Sequence, residues 1–172
     1  MKRFLLPAAG LSLVAAGFGA GLAVSATAAD DAAPVTVTRQ SLAEVKNPTG
    51  GHGRTLGLSK VVVMPGAELA PHHHPGSQLG YVAEGVLTYT VDTKRARLMK
   101  GPGDAATLVE VIKPGMTVKV RPGHWLVEEQ GEIHHATNAG DVPVVIYLST
   151  LLKNGEPAAI PDPPETVPPP RD

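Results

Sequence analysis

Cysteine is absent from this 172-residue chain, and that absence excludes several things at once. No disulfide can staple the fold, no thiolate can hold zinc or iron, and no lipid can be attached through a cysteine. Any metal site must use nitrogen and oxygen donors. Aromatic residues are few, with one Trp, three Tyr and two Phe, and no basic patch with interleaved aromatics occurs, which argues against a nucleic-acid partner. A sustained helical period of apolar residues is missing too, so the chain does not read as a helical protein. One uninterrupted apolar stretch exists, and it lies at the start.

That stretch begins after Lys2 and Arg3, runs through Val24, and ends in the small residues Ala26, Thr27 and Ala28. A charged start, an apolar middle and an A-x-A ending describe a secretory signal peptide, predicted over residues 1–29. Phe4 to Ala26 is long enough to span a bilayer, but Pro7 and glycines at 10, 17, 19 and 21 weaken such a helix. Cleavage and release are therefore expected, into the periplasm, cell envelope or medium, with no membrane attachment afterwards. Lys2-Arg3 is not a twin arginine. Loss of those two residues takes 15 basic residues to 13 against 16 acidic, a net charge of −3, too mild to suggest a polyanionic partner.

From residue 35 to 153 the chain alternates short β-branched runs with Gly and Pro. The runs include LGLSKVVVM, YVAEGVLTYTV, MTVKV and VPVVIYLSTLL, the pattern of an all-β barrel or sandwich of one domain. Short strands are expected at Val35 to Val37 and Leu42 to Val45. A solvated loop is expected from Asn47 to Arg54, holding His52, and a polar hairpin or loop from Asp92 to Thr107. Residues 154–172 are proline-dense and predict an extended tail without a fold of its own.

The chemistry is concentrated in two segments. In GAELAPHHHPGSQLGYVAEG, His72 and His74 alternate, so on a strand both face one way and His73 the other. Pro75, Gly76 and Ser77 turn the chain and bring Gln78 back to the same region. In GHWLVEEQGEIHHATN a further histidine, His134, arrives from far along the sequence. Three neutral imidazoles suit one divalent transition metal, Fe, Mn, Ni, Cu, Co or Zn. Fewer than four tight protein ligands leaves room for water or substrate.

These spacings resemble the two motifs of the cupin superfamily. The match covers Gly66, His72, His74 and Gly85 in the first motif and Gly123, Gly131, His134 and Asn138 in the second, and extends over most of Arg39 to Leu152. The resemblance implies a single double-stranded β-helix, a jelly-roll barrel like that of RmlC-like proteins, with one metal in its mouth held by His72, His74, Gln78 and His134. It also makes a homodimer plausible. Two positions depart from the family pattern: Gln78 stands where glutamate is usual, and Glu129 where proline is usual. An amide oxygen is a neutral, weaker ligand than a carboxylate, and leaves the ion its full charge.

Around these ligands, Glu128, His135, Tyr81 and Asn138 are candidates to orient a ligand or touch substrate. By strand parity His135 is expected to face outward, and Asn138 more naturally ties down a turn. Tyr81, Tyr89 and Trp125 read as core or rim aromatics, and the side faced by His124 is undetermined. Two functions follow. The first is an exported metal-dependent enzyme, a dioxygenase by preference, acting on a small chelating, oxygen-rich substrate. The second is a non-catalytic module that binds a metal or small ligand. Polar groups clustered near His135 and Glu128 would favour the first, and inward faces that present only aliphatic residues around the ion the second.

Overall fold

Twelve β-strands in two antiparallel sheets make up the described part of the protein, residues 36–162 of a computed structural model. The predicted signal peptide and residues 163–172 lie outside the described residues. Strands β1 (Val37–Lys46), β2 (Arg54–Val63), β4 (Gly76–Glu84), β6 (Ala96–Lys100), β7 (Thr107–Ile112), β9 (His124–Glu128) and β11 (Val144–Lys153) form one sheet, ordered β1-β2-β11-β4-β9-β6-β7. The second contains β3 (Glu68–His73), β5 (Leu87–Val91), β8 (Thr117–Val120), β10 (His134–Thr137) and β12 (Ile160–Pro161), ordered β12-β3-β10-β5-β8. Consecutive strands repeatedly belong to opposite sheets, as in a jelly roll. The fold is the all-β, double-stranded β-helix that the motifs implied.

Alternation builds the core. In β4 and β11 every second side chain is buried, and the inward faces of both sheets contribute Val61, Val63, Val82, Val91, Val144 and Ile146. Branched side chains suit this pleated, half-buried surface. Between β4 and β5 the chain reverses at Gly85, whose φ of +72° favours glycine, and a Cβ there would sit 2.7 Å from the Pro143 carbonyl oxygen. At Gly76 the backbone of β11 comes so close that a Cβ would collide with the Leu151 carbonyl. That contact lets β4 begin directly after the histidine turn.

Three local expectations change. Instead of two short strands, Val37–Lys46 is one ten-residue edge strand paired to β2 across a bulge at Ser41/Ala43. Ladder bonding to β2 carries the polar residues between the apolar runs, which local propensity alone does not predict. Part of the Asp92 to Thr107 stretch is also sheet, because Ala96 and Leu98 are buried in β6 between β7 and β9. Finally, Ile160 and Pro161 pair with His73 and His72. The first residues of the proline-rich stretch therefore belong to the barrel.

Candidate metal centre

His72 ends up opposite His134 in the β3/β10 ladder, and His74 follows β3 by one residue. Their rings lie together, with centroids 4.5 Å apart for His72 and His134, 5.0 Å for His72 and His74, and 5.2 Å for His74 and His134. One nitrogen from each lies within 4.8 Å of the other two. His74 and His134 are buried and His72 half-buried.

Backbone carbonyls orient two of the rings. His72 Nδ1 donates to Ala70 O at 2.7 Å, and His74 Nδ1 donates to Ala158 O at 2.5 Å. A carbonyl only accepts, so each Nδ1 carries its proton and each Nε2 is left with the lone pair a metal requires. Burial pushes both imidazoles below the ordinary histidine pKa, His74 to about 4, which keeps them neutral at pH 7. The donor set fits a divalent transition metal.

Gln78 is buried on β4 beside the histidines, but its amide nitrogen, rather than its oxygen, faces them. Nε2 lies 2.9 Å from His74 Nε2 and also donates to Glu128 Oε2, while Oε1 is buried without a partner. The carboxylate demands a donor, and this sets the amide's orientation. Gln78 is thus a bridge between His74 and Glu128, and metal ligation through its oxygen requires the amide to turn over.

Glu128 lies opposite Gln78 in the β4/β9 ladder. Its Oε2 is 3.5 Å from His74 Nε2 and its Oε1 3.7 Å from His134 Nε2. The site's negative charge therefore comes from the strand beside the neutral Gln78. Burial by itself raises the Glu128 pKa, but His134, His74 and the Gln78 hydrogen bond outweigh it and leave the carboxyl below its usual value. Behind His134 sits Glu132, 1 % exposed. It accepts a 2.8 Å hydrogen bond from the Tyr89 hydroxyl, with Oε1 3.7 Å from His134 Nδ1. Burial raises Glu132 to about 7 and, with the two carboxylates, pushes the Tyr89 phenol well up.

Other sequence candidates lie elsewhere. His135 faces outward from β10 and pairs with Asp92 at 2.9 Å. Tyr81 is on the outer face of β4, 45 % exposed, because its parity is opposite to that of Gln78. Asn138 is a turn anchor, donating to Val63 O and Val142 O and accepting from Gly140 N. Two members of the cluster were missed. Glu132 precedes His134 by two residues, so parity was an available signal; Tyr89 required knowing that β5 lies beside β10.

The site opens into a cavity of about 210 Å³, lined mainly by aliphatic residues such as Val61, Leu69, Val82, Leu126 and Ile146. The family model described as Cupin domain matches residues 59–108. This match supports the cupin superfamily. It includes His72, His74 and Gln78, and pairing of β10 with β3 brings His134 to them from beyond the matched segment. No curated protein matches the chain in sequence. Among solved structures, the chain is similar to a cupin superfamily protein from Desulfitobacterium hafniense DCB-2, at 15% identity over 72% of this chain and 84% of that one, TM-score 0.47. A second is the Schizosaccharomyces pombe Cnp3 cupin domain, at 13% identity over 69% and 65%, TM-score 0.48. A third is KdgF from Halomonas sp., at 20% identity over 66% and 79%, TM-score 0.43.

Proposed function

We propose that this chain is an exported, metal-dependent cupin enzyme acting on a small substrate that presents oxygen donors. The observation that carries the reading is the buried Glu128 carboxylate set against the Nε2 atoms of two histidines in a three-histidine cluster. His72, His74 and His134 would hold the ion, with Glu128 beside it as a carboxylate partner. When bound, a divalent transition metal supplies Lewis-acid polarisation of a substrate oxygen.

The chain's own groups are suited to moving protons. Glu128, held ionised and fixed by Gln78, is placed to accept a proton from a substrate bound at the cluster, as a general base must be. Glu132 and Tyr89 share a hydrogen bond on the far side of His134, and hold a second exchangeable proton there. Such polar groups around Glu128 favour catalysis over simple capture. They also favour proton transfer next to a polarised oxygen, as in isomerisation or elimination, because a buried ionised carboxylate beside the cluster can take up a substrate proton. Dioxygenase activity is the second reading, supported by three histidines that leave room for substrate and O₂ together, while the aliphatic lining by itself suits capture of a small ligand.

Elemental analysis of purified protein is expected to find about one transition metal per chain, and Glu128→Gln to lower metal affinity about thousandfold. A unit negative charge at about 4 Å from a dication is worth about 8 kcal/mol in an effective dielectric near 20, and the carboxylate's own desolvation offsets about half of it, leaving about 4 kcal/mol. Oxygen uptake on candidate diketones and phenols separates the two reaction classes. No metal in the protein, and no heat on adding Fe, Mn, Ni, Cu, Co or Zn, would sink the proposal.

A further inference from the structure

Arg39 has no part in the cluster above, yet its place on the edge strand gives it access to the same cavity. It pairs across the ladder with Val61, a buried residue of the cavity wall. Cross-strand partners share a face, so Arg39, exposed like the rest of its edge strand, lies on the cavity side at the open mouth of the barrel. It is the one lysine or arginine among the residues lining the cavity. A second groove on its other side is lined by Glu44 and Glu156, but Glu156 is held by Lys153 at 3.0 Å. No carboxylate among the described residues lies within ion-pair distance of the Arg39 guanidinium.

We propose that Arg39 determines specificity, gripping the carboxylate of a small aliphatic acid whose other end presents an oxygen donor to the histidine cluster. This rests on the metal-centre reading. A guanidinium fork matches a carboxylate in two parallel hydrogen bonds, and the aliphatic wall between Arg39 and the histidines suits a short carbon chain. At about 210 Å³ the space is below the roughly 300–1,000 Å³ of sites that take drug-sized ligands, which limits the acid to a few carbons. Partial withdrawal from water pushes the Arg39 pKa below the ordinary arginine value, and an incoming anion would offset that desolvation. The competing role is protective, since an inward-pointing charge on an edge strand discourages pairing with other chains.

Calorimetric titration of the zinc-loaded protein with 5-hydroxypentanoate and with its neutral amide decides between them. The acid is expected to bind at least tenfold more tightly than the amide. Arg39→Gln, which keeps an inward polar group, is expected to erase that difference while leaving zinc affinity and amide binding unchanged, with Arg39→Lys intermediate. Equal acid binding by the parent and Arg39→Gln would overturn the assignment, as would an amide that binds as tightly as the acid or inorganic phosphate that competes equally. If zinc fails to bind while the acid still binds through Arg39, the metal reading falls and the Arg39 assignment stands.

Discussion

Gln78→Glu is the substitution on which the structure makes its sharpest statement. In the native site the Gln78 amide donates to Glu128 and to His74. Glutamate at this position places two carboxylates in hydrogen-bond contact inside the barrel, and in the absence of metal they must share a proton. If the shared site titrates near pH 7, as two such groups do when one pKa rises by about 3 units, the metal-free variant loses about 3–4 kcal/mol by pH 8 relative to the parent. The sign is that of a raised acid: the folded state binds a proton that the unfolded chain has released, so the deficit is small near pH 4.5 and grows through pH 7. A divalent ion reverses this, because both carboxylates then face a dication. Metal affinity should rise, with release of the shared proton on binding. Urea unfolding at pH 5 and pH 8, with chelator and with added zinc, measures both effects. Equal stability of parent and variant at pH 8 without metal would show that positions 78 and 128 are not in contact.

Other expectations follow from the same cluster and its supports. In the metal-free protein, Glu132 and His74 act oppositely on stability. Glu132, raised to about 7, favours folding as pH falls from 7 to 4.5, whereas His74, lowered to about 4, disfavours it as pH falls from 6.5 to 4. Glu132→Gln removes the first effect, so acidification below pH 6.5 should destabilise the variant more steeply, by up to about 1.4 kcal/mol per pH unit. Identical pH profiles for the two proteins would contradict the Glu132 assignment. Asn138→Ala leaves the carbonyls of Val63 and Val142 without their donor and should cost about 2–4 kcal/mol in denaturant unfolding. Its metal stoichiometry should be unchanged, and a loss of metal with normal stability would return Asn138 to the site. Export is checked by N-terminal sequencing of protein recovered outside the cytoplasm, which should begin near Ala29 or Asp30; an intact Met1 would argue against cleavage.

Much of the site was legible where geometry is local. Alternation put His72 and His74 on one face and His73 on the other, because a strand's period is two whatever surrounds it. The same rule turned His135 away from His134. Applied one step further it would have reached Glu132. Tyr81 was misread because its distance from Gln78 along the strand is odd, so it points away from the cavity. Local pattern was weaker at the edges of the barrel. Residues between Val37 and Lys46 look interrupted as a sequence, yet β2 pairs with them throughout, and Ile160 and Pro161 join β3 from a stretch whose composition predicts none.

By itself the sequence determined the all-β class, the absence of sulfur ligands, and three histidines with Gln78 at fixed spacing. Those are matters of composition, period and spacing, which the chain carries wherever it goes. Tertiary structure alone decided where the site's negative charge comes from. Strand pairing of β4 with β9 sets Glu128 opposite Gln78, 50 residues away, and closure of the barrel brings its carboxylate to two imidazoles. It also laid Arg39 over the cavity from an edge strand. Contacts of that range depend on which strands lie side by side, and no local pattern encodes it.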